Sequence, residues 1–180
     1  MSPILGIWAS AKSPAIYANS YESIATQTVG AGGAASVTFS SIPSTYKHLQ
    51  IRASVKMASG GDVSCYLNSD TNVNNYRRHY VYGDGSTAAA GYQTTLGIVP
   101  GYVGSGSGFG TFIQDLLDYT DTNKNTTSRS LSGVDNNGSG LVILYSGLWM
   151  NTAAVTSIQY VGYGANFSEY STFALYGIKA

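Results

Sequence analysis

The alternation in Lys47-His48-Leu49-Gln50-Ile51-Arg52-Ala53-Ser54-Val55-Lys56-Met57 constrains the fold of this chain more than any other stretch. Successive side chains of an extended backbone point to opposite faces. Leu49, Ile51, Ala53, Val55 and Met57 therefore share one side, and His48, Gln50, Arg52, Ser54 and Lys56 share the other. A helix would scatter the same residues around its circumference, so the run predicts a half-buried β-strand. The segments Ile24 to Val29, Val37 to Phe39, Val63 to Asn68, Tyr92 to Val99, Phe109 to Tyr119, Thr126 to Val134, Val155 to Val161 and Phe173 to Ile178 follow the same grammar. Phe112, Ile113, Leu116 and Leu117 have helix-like spacing, but the strands around them favour a strand there too. Leu141 to Tyr145 is densely apolar and reads as a strand buried on both faces, running on towards Trp149.

Turn chemistry separates these runs. Gly30-Ala-Gly-Gly33 between the second and third runs predicts a hairpin, and Asp135-Asn-Asn-Gly138 supplies the positive φ of a tight turn. Thr120 to Asn125 is a polar turn, and Gly101 to Gly108 reads as a flexible connector. Asn72 to Gly85 has poor periodicity and predicts a loop with a short helix or strand. About ten strands at spacings near a dozen residues, without intervening helices, imply an all-β antiparallel sandwich of jelly-roll type. With 180 residues there is room for one core. Residues 1–20 lack alternation but carry Ile4, Leu5, Ile7 and Trp8. They are expected to form an extended N-terminal arm that either anchors the sandwich of residues 21–180 to a larger assembly or covers the sandwich's own core.

Charge narrows the function. Nine Lys plus Arg balance nine Asp plus Glu, so nothing attracts a nucleic-acid backbone or an anionic membrane. No apolar run approaches the ~18 residues of a membrane span. Charged residues make up 10% of the chain, against about 25% in ordinary soluble domains, while Tyr reaches 15 residues. So little charge repulsion suits a protein whose working state is self-associated. Cys65 is the single cysteine; flanked by Val63 and Leu67, it reads as a small buried apolar residue. The N-terminus lacks the basic start and full hydrophobic region of a signal peptide.

No catalytic constellation emerges. Gly104-Ser-Gly-Ser-Gly108 has the letters of a nucleophile elbow without a following helix, and no Lys-Ser or Lys-Thr makes it a phosphate loop. Asp115 and Asp118 point to opposite faces of a strand, which weakens them as a carboxylate pair. Asp118 and Asp121 flank a polar turn, where turn stabilisation outweighs calcium binding; no metal and no cofactor are assigned. His48 lies on the polar face of its strand. Tyr76, Arg77, Arg78, His79, Tyr80 and Tyr82 combine aromatic rings with guanidinium groups, the residue types of sugar-ring stacking and of interface anchors, and form the candidate surface for recognition.

The stretch from Tyr21 to Arg52, and the segments Leu117 to Thr127, Ser146 to Ile158 and Phe173 to Lys179, resemble a module of tailed-bacteriophage virion proteins; Ile4-Leu-Gly-Ile-Trp-Ala-Ser10 resembles their start. The resemblance implies a non-enzymatic protein on the particle exterior, made in the host cytoplasm. It is expected to self-associate as a homotrimer, to contact other virion proteins of tail or capsid, and to serve as a tail-fibre or adhesin module in host attachment. A capsid decoration protein is the first alternative. A free lectin-like module binding a host surface glycan is the second. This chain departs from long fibres in having no repetitive shaft.

Overall fold

The computed structural model describes residues 20–94, 97–103 and 108–179. They form twelve strands: β1 Tyr21–Thr28, β2 Ser36–Phe39, β3 His48–Val55, β4 Gly61–Leu67, β5 Tyr76–Gly83, β6 Ala88–Gln93, β7 Ile98–Val103, β8 Gly110–Leu117, β9 Thr126–Asp135, β10 Gly140–Trp149, β11 Ile158–Gly162 and β12 Thr172–Ile178. A single 3-10 turn, Val73–Asn75, precedes β5; Asn72 caps it by accepting the Asn74 N–H. All pairings are antiparallel. One sheet has eight strands in the order β1-β12-β3-β8-β9-β10-β5-β6, the other four in the order β2-β11-β4-β7. Packed face to face, they make the antiparallel sandwich expected of the alternation.

The core follows from the period-two pattern. Leu49, Ile51 and Val55 of β3 are fully buried, as are Val63, Cys65 and Leu67 of β4 across the sandwich. An aromatic cluster joins the sheets: Tyr160 stacks on Phe173 with ring centres 5.3 Å apart, and Phe167 meets Phe173 edge-on at 5.0 Å. Gln114, also fully buried, is satisfied from both sides. It accepts the Tyr160 hydroxyl at 2.8 Å and donates to Ser128 Oγ at 3.1 Å.

The pairs β1·β12, β2·β11, β3·β8, β4·β7 and β5·β6 nest inside one another. The hairpin β9-β10 stands outside that series. With β5 and β6 it extends the large sheet past β7, the edge of the small one. β7 lies against β8, β9 and β10. It approaches β9 so closely that Ser132 Oγ accepts the Tyr102 N–H at 3.1 Å. The first four inward residues of β9 are accordingly small hydroxyls, Thr126, Ser128, Ser130 and Ser132, all buried, and Val134 follows them.

Four expectations are corrected by this architecture. The runs before and after Gly30–Gly33 do not form a hairpin, because β1 pairs with β12 and β2 with β11 in different sheets. The single strand over Tyr92 to Val99 is instead the end of β6 and the start of β7. The connector from Gly101 is strand as far as Val103; residues 104–107 lie outside the described residues. Leu141 to Tyr145 is buried on one face only, with Val142 and Leu144 exposed on the other.

Candidate interaction surface

β5 carries the six residues singled out for recognition, and its alternation divides them. Tyr76, Arg78, Tyr80 and Tyr82 face inward while Arg77 and His79 face outward. Tyr76 and Arg78 are 1% and 5% exposed and so cannot belong to a surface rim. The Tyr76 hydroxyl instead ties the β4 end to the next turn, accepting the Leu67 N–H and donating to the Asp70 carbonyl. Asp70 in turn accepts Trp149 Nε1–H at 2.7 Å and Asn75 Nδ2–H at 2.8 Å. Burial acts to raise the Asp70 pKa, but these bonds, with the Asn72 N–H, prevail and hold it below its ordinary value.

Where the large sheet overhangs β7, Arg78 is the centre of a polar cluster. Its Nη1 donates to Asp62 Oδ2 at 2.8 Å, its Nη2 donates to Gln93, and its guanidinium carbon lies 5.7 and 5.9 Å from the Tyr80 and Tyr145 ring centres. Burial and the neighbouring Asp62 carboxylate raise the Tyr145 phenol pKa. Tyr80 and Tyr82 are half-buried above Val99, Ile143 and Tyr145, forming an aromatic wall with a wet edge.

The opposite, outer face of the large sheet is built differently. Ile113, Leu131, Leu144, Val81 and Ala90 are successive register partners across β8, β9, β10, β5 and β6, so they form one apolar line transverse to the strands. The four large members are 46%, 54%, 51% and 48% exposed. One register step towards the β9-β10 turn lie Thr111, Gly133, Val142, Gly83 and Ala88; one step the other way lie Asp115, Arg129, Ser146, His79 and Tyr92. On β3 and β12 the same face turns polar, with Arg52 set 5.4 Å over the Tyr21 ring and 5.0 Å over Tyr176. The apolar line, with Val142 beside it, is of the order of the few hundred Å² at which a patch marks an interaction site.

The remaining candidates resolve into structural roles. Asp118 is salt-bridged to Lys47 at 2.8 Å and to Lys124, which hold its pKa down at about 2. Asp115 accepts from Gln50 Nε2 at 2.9 Å, and His48 Nδ1 accepts the Asp118 N–H. Burial pushes the Cys65 thiol up to about 12, so it is not a nucleophile at neutral pH. Among the described residues no three His, Cys, Asp or Glu side chains converge as a metal site, and no helix is long and apolar enough to cross a membrane. Ile4, Leu5, Ile7 and Trp8 lie outside the described residues.

Sequence reasoning missed the apolar line because it exists only in the register between strands. Leu131, set between Ser130 and Ser132, reads in isolation as the buried residue of its strand, yet the serines are inside. Comparison with protein-family models, with curated proteins and with solved structures found no match to this chain.

Proposed function

We propose that this chain is a non-enzymatic structural protein of a bacteriophage particle, set on its exterior as a tail-associated fibre or adhesin module that self-associates and is anchored through residues 1–20. The observation that carries the reading is the half-exposed apolar line Ile113-Leu131-Leu144-Val81, a surface suited to a permanent neighbour. The strand order supports a jelly-roll reading. β1-β12-β3-β8 and β2-β11-β4-β7 are two four-stranded layers between which the chain alternates, and β5-β6 and β9-β10 are insertions. Such sandwiches suit assembly units because each loop and outer face is free to vary around a fixed core.

Electron microscopy of particles labelled with an antibody to this chain tests the proposal. Label on the tail supports it; label on the head transfers the protein to capsid decoration; unlabelled particles refute it. Deletion of residues 2–18 is expected to abolish incorporation. The aromatic overhang of Tyr80 and Tyr82 beside Arg78 favours a second reading, glycan binding by the free domain. A glycan array with the wild type and a Tyr80→Ala, Tyr82→Ala variant decides it: binding lost in the variant supports a lectin, and no binding removes it.

A further inference from the structure

We infer that the outer face of the large sheet is the docking surface for a second copy of this chain, arranged about a two-fold axis that passes over Ser132 of β9. The inference rests on the self-association in the preceding reading and is independent of the particle. Along β9 the outward residues are Thr127, Arg129, Leu131, Gly133 and Asp135. The last four of these are self-complementary about Ser132. A two-fold axis parallel to the apolar line lays β9 of one copy antiparallel over β9 of the other. Leu131 then stands over Gly133, and Arg129 over Asp135, in both directions at once.

The same operation sets Val81 of β5 over Gly83, a second large residue over a glycine. A trough of about 580 Å³ lies on the receiving side, with Gly83, Gly133, Gly140, Thr111, Phe109 and Val142 in its lining. Gly133 and Gly83 are not required by the chain's own fold. A Cβ built on either meets nothing nearer than 3.8 and 3.9 Å respectively, and neither has a positive φ. Their missing side chains leave space for an incoming one. Arg129 and Asp135 are both exposed, and neither forms an ion pair among the described residues.

Size agrees with this assignment. Five strands about 4.8 Å apart and about 27 Å long present roughly 650 Å² per copy. Two such faces bury about 1,300 Å² together, within the ~1,200–2,000 Å² range of specific stable pairs. Stacked sheets about 10 Å apart, rotated by about 30°, keep the match best at β9 and β10 and relax it towards the rims.

Sedimentation equilibrium of the full chain tests the arrangement. The wild type is expected to be a dimer. Arg129→Asp should weaken it about tenfold or more by placing two carboxylates together. Adding Asp135→Arg should restore it to within about threefold, because the two-fold contact couples residue 129 of each copy to residue 135 of the other. Leu131→Arg should weaken it about 100-fold, and Gly133→Leu, which fills the trough, provides the same test should Leu131→Arg not fold. A monomer at about 100 µM, far above a micromolar Kd, overturns the inference. A trimer, or a dimer indifferent to the charge reversal and its repair, overturns it as well. None of these outcomes touches the particle-labelling result, so the two readings fail separately.

Discussion

Gln114 shows how a single buried amide can organise a sandwich. It joins the sheets through Tyr160, and removing it strands the Tyr160 hydroxyl and Ser128 without that partner in a fully buried site. Gln114→Ala is expected to cost about 2–4 kcal/mol in urea unfolding, cavity included. The double variant with Tyr160→Phe should cost less than the sum of the two single changes, by about 1 kcal/mol or more. Ser130 presents the opposite case: its Oγ is buried with no hydrogen-bond partner among the described residues. Ser130→Ala should therefore leave stability within about 1 kcal/mol of wild type or raise it. Tyr170 adopts φ 69° while 69% exposed, an unfavourable backbone state for an aromatic residue. Tyr170→Gly should raise the urea midpoint by the equivalent of about 1 kcal/mol; an unchanged or lower midpoint would show that the ring makes contacts that offset the strain.

At the scale of elements, the turn between β8 and β9 is fastened by charge. Lys124 first, and then Lys47, pull Asp118 down to about 2 from an unfolded value of ~3.9. A depressed carboxylate contributes stability above its unfolded pKa and loses it as the pH falls through its folded pKa, here between about 4 and about 2. Urea midpoints across that window should fall less steeply in Lys124→Gln than in wild type, and the difference should shrink in high salt because the two lysines are about half exposed. Elements also differ in how legible they were. β3 could be read outright, since its core-facing residues are all apolar and those of its other face polar. β9 could not, because the close approach of β7 reverses the usual assignment and puts hydroxyls inside. The sequence of β10 reads as buried on both faces for a related reason: Val142 and Leu144 are apolar yet exposed among the described residues. The recognition residues of β5 were located on one element, but a run of neighbours on a strand necessarily divides between two faces. A glycine-rich turn such as Gly30–Gly33 signals a change of direction and not which strand is met afterwards.

For the whole molecule, the nested pairing makes almost every contact a distant one. β1 meets β12 and β2 meets β11 from opposite ends of the described chain, with only β5-β6, β8-β9 and β9-β10 pairing as sequence neighbours among the described strands. Sandwiches dominated by such pairings fold in milliseconds to seconds, and stopped-flow refolding is expected in that range. A sub-millisecond phase carrying the full native signal would contradict the topology. The same nesting sets a timetable for synthesis. β1 must wait for residues 172–178, so at about 5–20 residues per second about 8 to 30 s separate its emergence from that of its partner. During that interval Tyr21 to Thr28 is an unpaired strand on a crowded ribosome. Its polar residues Glu22, Ser23, Thr26, Gln27 and Thr28, spread over both faces, give neighbouring nascent chains little apolar surface to hold.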